Sequence, residues 1–319
     1  MSIPSFADYL VERRSLLRRL SWWRVAAFLA AALVILALGA RVFGGEAAHL
    51  RPHIARVTLS GIITGDRDTL RLISRVADSD AAAVIVSIDS PGGTTAGAER
   101  VYDALRRLSA KKPTAAVVGS LAASGGYIAA LGADQIVALG NSLVGSIGVL
   151  VQYPNVTGLL DKVGVKVEGV KSSPLKAAPN GYEPTSPEAK AALESIVMDS
   201  YAWFKGLVRE RRGLDDAGLA AVDDGRVFTG RQGLGLHLVD RLGGEREAVA
   251  WLENEKKVAK GLKVEDWRPQ RGFSVMSLTS LAQAAAGALG LDAMAPFLTR
   301  ADGRMLDGLV SIWQFGDAD

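Results

Sequence analysis

The sequence predicts an α/β protein in which buried parallel strands alternate with helices. Three observations carry that expectation. Apolar, β-branched runs recur at 82–88, 115–119 and 135–139, a pattern that suits strands covered on both faces. Between them, 70–76 and 95–108 repeat apolar residues at helical spacing. Glycine-rich turns follow the runs, at Asp89-Ser90-Pro91-Gly92-Gly93, Ser124-Gly125-Gly126 and Gly145-Ser146-Ile147-Gly148.

From the N-terminus, Arg13, Arg14, Arg18, Arg19 and Arg24 stand against Asp8 and Glu12. Trp22 and Trp23 precede an uncharged apolar run at 25–40, closed by Arg41. With the tryptophans this run approaches the roughly 20 residues that cross a bilayer. The arginine excess ahead of it predicts a cytoplasmic N-terminus and an outward-facing chain. A cleaved signal peptide is the alternative, but the leading segment is long for one. The expected division is a basic cytoplasmic N-terminus (1–24), a transmembrane anchor (25–43), a linker (44–52), a catalytic domain (53–260) and a C-terminal extension (261–319).

Residues 53–59 alternate like a strand with one wet face. The helix at 70–76 presents Leu70, Leu72, Ile73 and Val76, and that at 95–108 presents Ala98, Val101, Leu105 and Leu108. Long helices are expected at 187–212 and 245–260. Residues 277–289 suit an amphipathic helix, and 306–315 form a mostly apolar tail.

Composition narrows the chemistry. The net charge of +3 gives no nucleic-acid footprint, and the absence of cysteine removes disulfides, thiolate metal sites and cysteine nucleophiles. The histidines, His49, His53 and His237, are too scattered for a metal site. No cofactor is expected.

Ser124 stands where a strand turns into a helix. Unpaired N–H groups at a helix start favour negative charge nearby, and the following glycines let a substrate backbone approach. That reads as a nucleophile; a helix N-cap is the plain alternative. The N–H of Gly125 and one from the Gly92-Gly93 loop would make an oxyanion hole if their strands are neighbours. A nucleophilic serine needs a base, and no histidine is well placed. A lysine serves when apolar surroundings favour its uncharged form. Lys176, among Leu175, Ala177 and Ala178, and Lys171 both qualify, and composition does not choose between them.

Taken in order, these motifs, with the segment from Lys171 to Lys176 and the run Asp224-Gly225-Arg226-Val227-Phe228-Thr229-Gly230-Arg231, resemble bacterial signal peptide peptidase A in its short, single-repeat form. The resemblance covers roughly residues 54–251. It implies a Clp protease/crotonase-like fold of repeated β-β-α units behind an N-terminal transmembrane helix. It implies a Ser/Lys serine protease with Ser124 as nucleophile, Lys176 as general base, Ser146 supporting the lysine, and Gly93 and Gly125 forming the oxyanion hole. It further implies a homo-oligomeric ring whose subunits share sites, at the bacterial inner membrane, acting on hydrophobic peptides and cleaved signal peptides. Pro174 and Leu175 depart from the more polar or aromatic pair usual before that lysine. Rival readings are a stomatin-partner membrane protease, a crotonase-like acyl-CoA enzyme and an inactive scaffold.

Overall fold

The computed structural model describes residues 51–269, the strand 310–312, and Trp22, Trp23, Val25 and Leu29 near the N-terminus. Those four residues are helical and exposed. The rest of the expected anchor, and the expected helix at 277–289, lie outside the described residues. Among the described residues no helix is long and apolar enough to cross a membrane. The chain divides into Met1–Pro52 and His53–Asp319, and the sheet belongs to the second unit.

Three strands form the centre: β1 (Ile54–Ile63), β2 (Ala83–Thr94) and β3 (Thr114–Ala123). They are parallel and joined by α1 (Arg67–Ala77) and α2 (Thr95–Ser109). A short helix, α3 (Gly125–Ala130), follows β3 directly. Next come β4 (Gln135–Ala138), β5 (Leu143–Gly145), α4 (Thr157–Val163), α5 (Pro187–Arg212) and α6 (Asp216–Ala220). The described elements end with β6 (Val227–Thr229), α7 (Gly230–Gly235), β7 (Arg241–Leu242), α8 (Glu245–Asn254), β8 (Val264–Trp267) and β9 (Val310–Ile312). The sheet runs β6-β5-β3-β2-β1-β8, with β4 branching from β3 and pairing in turn with β7, and β9 branching from β2. The result is a mixed α/β sheet.

Period-two alternation divides the core between the two faces of the sheet. Val84, Val86 and Ile88 of β2 pack with Leu72, Ile73, Val101, Leu105 and Ile128 from the helices. Ala83 and Ile85 face the other way, toward Trp251 and Leu252 of α8. Helix starts are fixed locally. Asp66 accepts from the N–H groups of Asp68 and Thr69 to open α1, and Thr94 accepts from Gly97 to open α2.

Two expectations are corrected. The expected loop at 89–93 is strand: β2 continues through it, pairing Gly92 and Gly93 with Ile62 and Ile63 of β1. A register shift between Ser60 and Ile62 lets the ladder step past Pro91, which has no N–H to donate. The helix expected to reach residue 260 stops at Asn254. Lys257 there takes a φ of 57°, and Val258 folds back to donate to the Leu252 carbonyl.

Candidate active site

β3 keeps its neighbours up to its last residues, pairing Ala122 with Ser90 of β2 and Ala123 with Gly145 of β5. At the next residue the backbone breaks away, with Ser124 at φ 55° and ψ −118°. A left-handed φ at a non-glycine residue costs about 1–3 kcal/mol and persists only where the surroundings fix it. Here they do. The Ser124 N–H donates to the Gly145 carbonyl at 2.8 Å, and its carbonyl accepts from Ile128 at 2.9 Å. A Cβ on Gly126 would lie 2.6 Å from the Ser90 carbonyl oxygen, so α3 sits on β2 with no room to spare. Ser124 is buried. Its side chain makes no capping hydrogen bond to α3, which removes the plain N-cap reading. Its hydroxyl lies 3.5 Å from the Gly148 carbonyl.

Ser146 occupies the matching place on the neighbouring parallel strand. It follows Gly145 as Ser124 follows Ala123, and it too takes a left-handed φ, 52°. Its N–H donates to the Arg226 carbonyl at 2.8 Å. The run at 224–231 is the frame for this turn. β6 pairs antiparallel with β5, and Thr229 caps α7 in a reciprocal bond with Gln232. The Arg226 guanidinium beside Asp224 lowers that carboxyl's pKa.

The Gly92-Gly93 strip is equally determined. The Gly92 N–H donates to Ser90 Oγ at 3.1 Å, and that hydroxyl donates to the Gly61 carbonyl at 2.7 Å. The next amide along is that of Gly93, where a Cβ would fall 1.8 Å from the Ile63 carbonyl oxygen; only glycine fits. Since β2 and β3 are adjacent, Gly93 and Gly125 stand at the same end of neighbouring strands, as an oxyanion pair requires.

The two lysines are placed differently. Lys176 is exposed in the turn after Ser173, beside Leu175, which is 47% exposed. Among the described residues no hydrogen bond joins it to Ser124. Lys171 forms an ion pair with Glu183, and this bond is the main reason that Glu183 titrates below its usual range. The two described histidines serve elsewhere: His53 stacks on Trp267, and the His237 carbonyl accepts from Arg212 at 2.6 Å; His49 lies outside the described residues.

Sequence reasoning gave no role to Tyr127 or Arg212. Tyr127 is fully buried in α3, three residues after Ser124, and donates to the Leu238 carbonyl at 2.8 Å. Burial raises its pKa. Arg212 pairs with Asp240 at 2.6 Å, and Asp240 accepts from the Ile136 N–H at 2.7 Å. These bonds tie the serine-bearing helix to the strand end beside it. The signal was an aromatic hydroxyl in an otherwise apolar helix.

The profile of Peptidase family S49 matches residues 106–259. A Synechocystis protein named "Putative protease slr0021" is 38% identical over 203 residues, covering 63% of this chain and 73% of that protein. The chain belongs to peptidase family S49. It is also 30% identical over 198 residues to the Enterococcus faecium protein named "Putative signal peptide peptidase SppA", covering 62% and 58% of the two chains. To "Serine protease SPPA, chloroplastic" of Arabidopsis thaliana it is 30% identical over 183 residues, covering 57% and 27%. The matches thus span somewhat over half of the second relative and about a quarter of the third. As an S49 member the chain is a serine peptidase, a hydrolase of peptide bonds. That sets aside the acyl-CoA and inactive-scaffold readings.

Proposed function

We propose that this S49 peptidase is a membrane-anchored endopeptidase that uses a Ser/Lys dyad to degrade hydrophobic peptides, cleaved signal peptides among them. The carrying observation is the backbone at Ser124. It is a buried serine held at a strained turn, level with Ser146 on one neighbouring strand and with the Gly92-Gly93 strip on the other.

In the proposed reaction, uncharged Lys176 takes the Ser124 proton and the alkoxide attacks the peptide carbonyl. The N–H groups of Gly93 and Gly125 hold the oxyanion. The lysine ammonium, oriented by Ser146, then protonates the leaving amine, and water hydrolyses the acyl-enzyme in the same way. Lys176 comes from a neighbouring protomer of a homo-oligomeric, Clp/crotonase-like ring. Supporting this, Lys176 is exposed within one chain, and its segment also exposes Leu159, Val163, Val165, Val167 and Val170. A second copy covering that apolar surface would desolvate the amine.

The run at 25–40 anchors the protein in the bacterial inner membrane as a single pass, with the catalytic domain outside the cytoplasm. The arginine asymmetry supports that orientation, and the name of the Enterococcus relative supports the substrate class.

The test is a peptidase assay on Ser124→Ala, Lys176→Ala and Lys171→Ala. Loss in the first two with retention in the third is expected. Loss in Lys171→Ala with an active Lys176→Ala would move the base to Lys171.

A further inference from the structure

The end of α3 remote from Ser124 is gripped by arginines from two other helices. Past its last turn, the carbonyls of Leu131, Gly132 and Ala133 lie among buried residues, where each needs a donor. Arg211 Nε donates to the Leu131 carbonyl at 3.0 Å, and Arg211 Nη2 donates to that of Ala133 at 2.9 Å. Arg106 Nη1 donates to the Gly132 carbonyl between them at 3.2 Å, and Asp134 meets the Arg106 charge at 3.6 Å. The next residue of α5 takes the neighbouring turn. Arg212 donates to the His237 carbonyl and to Asp240, each at 2.6 Å. Between those two contacts lies Leu238, whose carbonyl accepts the Tyr127 hydroxyl. Consecutive arginines at the end of α5 thus reach α3 by two routes, one direct and one through Tyr127.

We propose that Arg211 and Arg212, with Arg106, are positioning residues of the peptidase: they fix where α3 ends, and through α3 the place of the Ser124 hydroxyl and the Gly125 amide. The proposal rests on the reading of Ser124 as nucleophile. At 1.5 Å per residue, Ser124 lies about 10 Å along the chain axis from Leu131, so the arginines act through the helix rather than on the reacting atoms. A cation suits a helix C-terminus, but one would serve. Here two converge, although burial and the Arg106 charge both disfavour the charged form of Arg211. The elements that carry them also matter. Arg106 stands on α2, which begins directly after the Gly92-Gly93 strip, and Arg211 and Arg212 close α5, the helix that follows the Lys176 segment. The helix bearing the serine is thereby referenced to both of the other parts of the site. A shift of even 1 Å at a reacting group lowers a rate by about 10²-fold, and a six-residue helix has little else to stop it sliding along its own axis.

The test compares Arg211→Ala, Arg211→Lys, Arg212→Ala and Arg209→Ala in the full chain. Arg209 lies in the same turn of α5 but pairs with the exposed Asp216, so it is the control. Two quantities are measured below the melting temperature of each variant: kcat and KM on one apolar peptide, and the rate at which a fluorophosphonate labels Ser124. Arg211→Ala and Arg212→Ala should each lower kcat and the labelling rate about tenfold or more, with KM changed less than about twofold. Arg211→Lys should fall between Arg211→Ala and wild type, because an ammonium lacks the planar fork that spans two carbonyls. Millimolar guanidinium should restore part of the labelling rate to Arg211→Ala. Arg209→Ala should match wild type. Folded Arg211→Ala and Arg212→Ala chains that melt lower but keep the wild-type kcat and labelling rate overturn the proposal, since the arginines would then hold the fold alone. An equal loss in Arg209→Ala also overturns it. If Arg211→Ala fails to fold, Arg211→Lys and Arg106→Gln decide by the same two readouts. A Ser124→Ala chain that stays active would overturn the catalytic reading instead.

Discussion

The turn that carries Ser124 and the segment that carries Lys176 are built to opposite standards. Around Ser124 every residue of α3 is buried, the backbone is bonded on both sides, and Gly126 and nearby Gly93 meet neighbouring backbone at distances no Cβ tolerates. From 151 to 186 the chain is largely exposed. Helix α4 buries none of its residues, and Cβ atoms added at Gly158, Gly164 or Gly169 would meet nothing. The difference teaches where the free energy of preorganisation is stored. Under the proposed roles, one chain holds Ser124 and the amides of Gly93 and Gly125 in place. Lys176, the proposed base, stands on an exposed surface, and the proposal has a second copy cover it.

The sharpest break of this contrast is to separate the two halves genetically. Ser124→Ala and Lys176→Ala should each lower kcat by roughly 10³-fold or more, as removal of a member of a catalytic unit does. If each site combines the serine of one protomer with the lysine of the next, coassembly of the two inactive variants restores intact sites. Random pairing around a ring gives about one quarter of wild-type activity. No recovery after verified coassembly would place both groups in one chain.

The second effect contrasts glycines from the two regions. Gly126→Ala drives a methyl group against the Ser90 carbonyl. Overpacking of this kind costs about 1–3 kcal/mol, and displacement of the serine by even 1 Å should reduce kcat by about 10²-fold. Gly169→Ala, with open space around it, should leave both kcat and the denaturation midpoint where they were. Equal behaviour of the two variants would erase the distinction.

A smaller effect is expected at Tyr127. Tyr127→Phe leaves the buried Leu238 carbonyl without its donor, at a cost of about 1–3 kcal/mol. The urea midpoint should fall while the slope stays constant. An unchanged midpoint would mean that the bond does not anchor α3.

The sequence reveals these two regions unequally, for physical reasons. Strands such as 82–88 announce themselves because burial on both faces demands an unbroken apolar run, and Ser124 stands out because glycines must follow it. The continuation of β2 through Pro91 was hidden: proline reads as a stop, and the register shift that accommodates it, with Asp89 opposite Ser60 and Gly92 opposite Ile62, shows only in the pairing with β1. The bond from Tyr127 to Leu238 spans 111 positions and leaves no local pattern. The choice between Lys171 and Lys176 was illegible for a related reason. The partner that occupies Lys171, Glu183, lies twelve residues on, and any surface that would cover Lys176 belongs to no local pattern at all.

The smallest expected effect probes that occupied lysine. Lys171→Ala should retain peptidase activity and lower Tm by less than about 2 °C at neutral pH, because exposed ion pairs contribute little. Its signature is in the pH dependence. The hydrogen bond from Lys171 is the largest cause of the lowered Glu183 pKa, whose ordinary value is 4.5. A carboxyl with a lowered folded pKa contributes stability above its unfolded pKa and loses it as pH falls through the folded value. The Tm difference between wild type and variant should therefore be present at pH 7 and fade as the pH drops below about 4.5. A difference that persists unchanged into acid would mean that Lys171 stabilises its segment by packing alone. The exposed region would then owe its order to apolar contact rather than to charge.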